Sequence, residues 1–224
     1  MGAAKQKRGK RVPPSPAEIE AAVETLRGEL ATRPILMLHD ASLPSVTTIL
    51  AGEPIAGSWW GHPRGALIFE VLQRIESEVA WPKLVGGKVT LVHQPCWPAL
   101  VAACRDEDAW QTRGLSRQAR ELYEQVKSAG SARTDRLRET GDGMVVGRSV
   151  DQLEKRLLVM SAQVHTAAGR HARELSTWQR WQQRSGLAAA TLPSGERARA
   201  TLESQVADFD RTGAPLMPWM DVVK

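Results

Sequence analysis

Cysteine is nearly absent from this chain: Cys96 and Cys104 are the only two in 224 residues. They stand eight positions apart in what reads as one helix, so their side chains sit about two turns from each other, too far to pair, and reduced thiols are expected. With His93 they make an H-x2-C-x7-C pattern. A zinc site wants two correctly spaced pairs of ligands, so neither a metal nor any other cofactor is expected. Long apolar runs are missing too. No stretch approaches the roughly 20 residues that cross a bilayer, and the N-terminus is basic without the apolar segment of a signal peptide. A cytoplasmic protein with no membrane contact is expected.

The motifs of several enzyme classes are also lacking. The "GGK" at Gly86 to Lys88 has none of the remaining residues of a phosphate-cradling loop. There is no G-x-S-x-G elbow, and the histidines are not spaced as a metal site. Hydrolase, kinase and oxidoreductase readings therefore have no motif behind them. Acidic residues are absent from the first eleven positions, where Lys5, Lys7, Arg8, Lys10 and Arg11 supply five positive charges. Residues 1–14 read as a disordered basic arm.

What is present has a globular balance, 42% hydrophobic and 25% charged residues, and a length that suits one large domain or two to three small modules. The net charge of +5 is unevenly spread. Residues 12–110 carry 7 basic against 12 acidic side chains, residues 111–190 carry 14 against 8, and residues 191–224 carry 4 against 5. One basic segment among acidic ones is the asymmetry of a localised polyanion contact. A solvated basic face is the plainer alternative.

"SPAE" places Ser15 as an N-cap, Pro16 at the first helical position and Glu18 as the partner in a capping box. Ile19, Ala22, Val23, Leu26 and Leu30 follow on one face, predicting a helix to about Ala31. Ile35 to Leu38 is a short apolar run, and Ser45 to Ala51 fits a short helix closed by Gly52. Leu67, Ile68, Val71, Leu72, Ile75 and Val79 predict a long amphipathic helix. "KLVGGKVTLVH" then reads as a hairpin about Gly86-Gly87, and Pro95 opens a helix bearing Trp97, Leu100, Val101 and Cys104. Helix, short helix, long helix and hairpin is the layout of a winged helix-turn-helix module.

The second half repeats that layout. Ser116 caps a helix with Ala119, Leu122, Tyr123 and Val126 inward and Gly130 as its stop. "ARTDRLRE" supplies the short helix, and "TGDGMVVG" reads as a loop before "RSVDQLEKRLLVM". There Val150, Leu153 and Leu157 share a face while Arg148, Gln152, Lys155 and Arg156 lie opposite, the division a recognition helix needs in a major groove. Residues 158–176 read either as a wing about Ala168-Gly169 or as a continuous helix. "STWQRWQQR" and "LPSGERARATLESQVADF" end the fold as helices, and Trp219 is expected to pack back on the body.

The stretches "SWWGHPRGALIFEVLQRIE", "KLVGGKVTLVH", "RGLSRQARELYEQVKSAG" and "LEKRLLVMSAQVHTAAGRHARELSTWQRW" together resemble the AlkZ-related proteins, relatives of the AlkZ-like bacterial DNA glycosylases, over residues 33–184. The resemblance implies tandem winged-helix modules and a role in DNA repair. Enzymes of that family use a Gln-x-Gln or Gln-x-Asp motif to position the attacking water. Gln111 has no partner two residues on, and Gln179, Gln182 and Gln183 lack the spacing. No catalytic residue carries over, which puts glycosylase activity in doubt; any such activity would be metal-independent.

The expected fold is therefore mainly α with short β-hairpins: a first module over residues 15–110, a second over 111–186 and a C-terminal helical extension over 187–224. The expected partner is double-stranded DNA, damaged DNA if the role is repair, contacted by Arg148, Gln152, Lys155, Arg156, Arg133 and Arg170. Trp59, Trp60, His62 and Arg64 are candidates for a cleft wall, one tryptophan inward and one outward, the pair pointing apart. Asp40, Glu53 and His62 are the acid and base groups nearest that stretch, although His62 before Pro63 also suits a helix cap. Three functions compete: a repair-associated DNA binder acting as a monomer, a transcription regulator acting as a dimer, and a protein-interaction module that binds no nucleic acid.

Overall fold

The computed structural model describes residues 13–140, 142–165, 171–209 and 215–222. Helix α1 (Pro16–Thr32) starts on the capping box: the Ser15 hydroxyl accepts from the Glu18 amide and the Glu18 carboxylate accepts from the Ser15 amide. Ile19, Ala22, Val23, Leu26 and Leu30 are its buried residues. Strand β1 (Ile35–Met37) and helix α2 (Val46–Ala51) follow, α2 capped by Ser45 and closed by Gly52 at φ 82°. A 3-10 turn over Trp59–Gly61 leads into α3 (Gly65–Arg74), which buries Leu67, Ile68, Val71 and Leu72.

α3 is shorter than its apolar period suggests. The chain leaves the helix at Ile75, makes a 3-10 turn over Glu76–Glu78 and extends at Val79 into β2 (Val79–Ala80). Val79 satisfies the helical period but is β-branched, and its backbone pairs with His93 of β3 (Thr90–His93). The three strands form an antiparallel sheet in the order β1-β3-β2, with Ile35 opposite Val92. Gly86 and Gly87 turn the β2–β3 loop at φ 55° and 68°, the positive values a tight two-residue turn requires.

After a 3-10 turn over Gln94–Cys96, helix α4 (Trp97–Cys104) is buried along almost its whole length. The Trp97 indole donates to the Val92 carbonyl at 2.8 Å and anchors β3. Both cysteines are free and buried, and burial pushes the Cys96 thiol up to about 11. A short helix α5 (Ala109–Thr112) joins the two halves.

The second half has the same order. Helix α6 (Arg117–Ala129) is capped by Ser116 and stopped by the left-handed Gly130. Strand β4 (Ser131–Arg133), helix α7 (Thr134–Thr140), helix α8 (Gly143–Lys155) and strands β5 (Met160–His165) and β6 (His171–Ser176) follow. β6 pairs antiparallel with both its neighbours, giving the order β4-β6-β5. The rival reading of residues 158–176 as one helix is thereby excluded. In both halves the strand after the first helix pairs with the last strand, so the two sheets share one topology. Among the described residues the fold is mainly helical, with ten α-helices and two three-stranded antiparallel sheets.

Helices α9 (Trp178–Arg184) and α10 (Gly195–Ser204) complete the chain with a 3-10 turn over Pro218–Val222. Three apolar cores result. One lies inside the first half among α1, α2, α3 and β3; a second lies inside the second half around Tyr123, Val150, Leu153 and Leu175. The third runs from Ile35 and α4 through Leu157 and Trp178 to Ala198, Leu202, Phe209 and Trp219. Trp219 packs edge-on against Trp110, centroids 5.5 Å apart, as its expected return to the body requires. Among the described residues no helix is long and apolar enough to cross a membrane.

Candidate nucleic-acid interface

The sequence places the start of the charged helix near Arg148, but α8 begins five residues earlier, at Gly143. Asp142 makes this possible: its carboxylate accepts from the Met144 amide at 2.8 Å and caps the helix. "GMVVG" is therefore the first turn and not a loop. Glycines at both ends of that stretch disguise a helix because they are poor helix formers.

The shift redistributes the expected DNA-contacting set. Arg148 stays outward, its guanidinium donating to Met144 Sδ at 3.1 Å. Gln152 instead reaches across to α6, where its side-chain oxygen accepts from the amide and hydroxyl of Ser116 at 3.2 and 2.9 Å. Lys155 is exposed but paired with Asp151 at 2.8 Å, and its stem covers the tip of the β2–β3 loop: a Cβ on Gly87 would lie 3.3 Å from Lys155 Cγ. Arg156 is half-buried and donates to the Trp110 carbonyl at 2.8 Å. Arg133 makes a two-point contact with Asp135 at 3.1 and 2.8 Å. Arg170 and the expected hairpin tip at Ala168-Gly169 lie outside the described residues, as does the basic arm up to Val12. Gln152 and Arg156 thus have partners within the protein, because the C-terminal half of α8 faces its other elements, and Arg133, at the end of β4, is paired with Asp135 just after it.

Two arginines missed by sequence reasoning lie on α7, which packs against α8, and Arg138 approaches the start of α8, where a Cβ on Gly143 would lie 3.7 Å from its Cγ. Arg136 and Arg138 are exposed on α7 and make no ion pair among the described residues. The signal was present: Leu137 alone packs inward in "DRLRE", so its neighbours must face out.

The half of α8 turned inward is held by a brace from the first half of the chain. Lys83, on the β2–β3 loop, reaches Asp151 at 2.7 Å and Glu154 at 2.8 Å. Glu154 is only 7% exposed and also accepts from Arg173 and Ser161, both at 2.6 Å. Burial pulls the Lys83 ammonium down, but its bonds to Asp151 and Glu154 prevail and hold it above its ordinary range. Burial pushes the Asp151 carboxyl up, and the hydrogen bonds from Lys155 and Lys83 outweigh it, leaving it below the usual value. Asp40 behaves alike, with burial overcome by Lys88 and the amides of Ser42 and Leu43, and Arg27 draws Glu78 down.

A depressed folded-state carboxyl stabilises above its unfolded value and loses that contribution as pH falls through the folded one. The urea midpoint is therefore expected to be flat from about pH 7 to 5 and to fall below about pH 4. Asp151→Asn lowers the midpoint at neutral pH and makes the acid fall shallower. An equally steep acid fall in that variant would count against the assignment.

Trp59 and Trp60 divide as expected, Trp59 being 8% exposed and Trp60 53%. They do not point apart, however: the rings stack at 4.0 Å and 23°, with Phe69 at 5.5 Å from Trp60. The reason is the 3-10 turn, which lies against the start of α3 so closely that a Cβ on Gly65 would come within 2.9 Å of the Trp59 carbonyl. Trp59 belongs to the core of its own half and does not seat α3 against a neighbour. His62 lies just before the N-cap of α3, which is Arg64; its Nδ1 accepts from the Arg64 amide at 3.2 Å, and its ring lies 3.5 Å from the exposed Glu53. Arg64 is exposed beside it. Asp40 is not drawn into this group, being tied to Lys88 at 2.7 Å and to its own loop.

Three of the four glutamines weighed for water activation have structural partners, and the fourth, Gln183, is exposed. Gln111 is fully buried and donates to the carbonyls of Cys104 and Leu157. Gln182 donates to Leu187 and Gln179 to Arg105. Trp178 and Trp181 bury together at 5.8 Å, while Arg184 on the same helix meets Glu174 at 3.3 Å. Among the described residues no three His, Cys, Asp or Glu side chains are grouped to hold a metal. Comparison of the chain with protein-family models, with curated proteins and with solved structures finds no match in any of the three.

Proposed function

We propose that the protein binds duplex DNA as a tandem winged-helix protein, with α8 as the recognition helix of the second module and the β5–β6 hairpin as its wing. One observation carries the reading. The first two turns of α8 expose Met144, Val145 and Arg148 and lie against α7, which carries the exposed Arg136 and Arg138, and none of the three arginines makes an ion pair among the described residues. Recognition helices meet base edges with their N-terminal residues, so the internal engagement of the C-terminal half of α8 leaves the reading half intact. The shared sheet order of the two halves supports the tandem layout. A repair-associated role follows from the sequence resemblance, and among the described residues no grouping of side chains supports base excision.

Binding of a fluorescent duplex, followed by anisotropy at two salt concentrations, tests the reading. Binding is expected to weaken steeply with salt. The Arg136→Ala/Arg138→Ala/Arg148→Ala variant is expected to lose about 100-fold in affinity and to lower the slope of log affinity against log salt by about 2 to 3. Circular dichroism checks that the variant is folded. Unaltered binding by that variant would remove α8 from the interface. A chain that sediments as a monomer and prefers abasic or alkylated duplexes is a repair factor, and a dimer selecting spaced half-sites is a regulator.

A protein-interaction role is the second reading, favoured by a specific feature. The outer face of α3, equivalent in order to α8, carries the exposed Phe69 beside Trp60 and the acidic Glu70. Failure of every duplex to bind at low salt would put this reading first.

A further inference from the structure

We infer that the first two turns of α8 recognise the 5-methyl group of a pyrimidine, in thymine or 5-methylcytosine, next to a guanine. The inference rests on the duplex-DNA reading and concerns which chemistry the same face selects. Met144 is 64% exposed and Val145 38%, the two apolar side chains at the outward front of the helix. A polar surface helix has no internal reason to present them, since neither helps to fill one of the three apolar cores. The apolar feature that base edges display in the major groove is the pyrimidine 5-methyl group. Methionine, unbranched and polarisable, adapts well to so small a contact.

Arg148 lies one turn beyond Met144 and its guanidinium already runs alongside the thioether at 3.1 Å. A guanidinium in that place suits the O6 and N7 acceptors of guanine, its commonest base partner. Methyl contact and guanine contact are then supplied by neighbouring side chains on one stripe, so the two bases must be adjacent. Gly147, on the flank of the same turn, strengthens the case. Glycine is a poor helix former, yet nothing inside the fold requires it there, because a Cβ would meet no atom within 4 Å.

Charge decides between this occupant and a protein groove. The apolar patch is two side chains wide, with Arg148 against Met144 and Arg138 against the start of the helix at Gly143, neither paired with a carboxylate among the described residues. That combination matches a methyl group set near phosphates. A partner helix would need a longer apolar stripe and would leave the two arginines facing it.

The test begins with selection of a randomised duplex of roughly 20 base pairs on the full-length protein, enough to span a recognition helix and wing. The enriched duplex is rebuilt with uracil for thymine, which keeps every hydrogen-bonding edge and removes only the methyl groups. It is also rebuilt with cytosine or 5-methylcytosine before guanine. Loss of each contacted methyl is expected to weaken binding about four-fold, and Met144→Ala/Val145→Ala is expected to erase that difference while leaving the salt slope unchanged. Preference for thymine over uracil without preference for 5-methylcytosine assigns the methyl group to thymine; both preferences together assign it to either base. Preference for 5-methylcytosine alone assigns the methyl group to that base, whereas equal binding within both the thymine/uracil and the 5-methylcytosine/cytosine pairs, still weakened by the triple arginine variant, overturns the methyl inference and leaves DNA binding standing. Failure to bind any duplex overturns the DNA reading itself, and the inference with it.

Discussion

Replacing Glu154 with alanine is expected to destabilise the protein by about 3 kcal/mol in urea denaturation, one of the two largest effects anticipated for a single substitution. The carboxylate is 7% exposed and receives Lys83 at 2.8 Å, Arg173 at 2.6 Å and Ser161 at 2.6 Å. Removing it leaves Arg173 without its counter-charge and takes one of two carboxylates from the largely buried Lys83. The loss sits at the lower end for breaking a buried pair, since Lys83 keeps Asp151 and Arg173 is 38% exposed. The carboxylate matters chiefly because the cations are there. Replacing all three together, Glu154→Leu with Lys83→Met and Arg173→Met, should return stability to within about 1 to 2 kcal/mol of the parent. A loss below about 1 kcal/mol in the alanine variant would show that the brace is solvated and contributes little.

Trp178→Ala is expected to cost about 3 to 5 kcal/mol, read by far-ultraviolet circular dichroism because the substitution alters the fluorescence itself. The ring is 1% exposed and sits in the core that joins both halves to the C-terminal helices. Its indole N–H also donates to the Leu157 carbonyl at 2.6 Å, and Gln111 donates to the same oxygen at 2.9 Å. Leu157 needs that support. Its backbone stands at φ 49°, in the left-handed region that a bulky side chain seldom occupies. Trp178→Phe separates the two contributions, since it keeps most of the packing and forfeits about 1 kcal/mol of hydrogen bond. A loss under about 2 kcal/mol for Trp178→Ala would mean that the core collapses around the gap.

Helices with caps were legible from the sequence. Ser15 with Glu18, and Ser116 with Gly130, announce α1 and α6 because the capping residues act on backbone groups a few positions away. The hairpins were legible in kind and not in extent, since the partner of β3 is decided by long-range pairing that drew Val79 out of the helical period. β4 was missed because "SAR" carries no apolar alternation; its place comes from pairing with β6 alone. The largest difference concerns α8. A side chain's outward position on a helical wheel says nothing about whether another part of the chain covers it. Gln152 and Arg156 were both on the polar face and both turned out to hold neighbouring elements in place. Arg148 is outward on the wheel and exposed in the fold, its guanidinium against Met144.

The core that links Ile35 to Trp219 has a consequence for how the polypeptide is made. The second half closes its own core with residues up to Leu175 and needs nothing that follows. The linking core, by contrast, is complete only when Trp219 reaches Trp110 and the Leu216 carbonyl accepts from the Gly86 amide at 2.8 Å. Between those two moments a ribosome adds roughly forty residues, several seconds of synthesis, and for much of that time the face of α4 that α10 covers is open. The nascent chain thus emerges with an apolar helix only partly covered and waiting for a later partner, and it is in that interval that a chaperone would find something to hold.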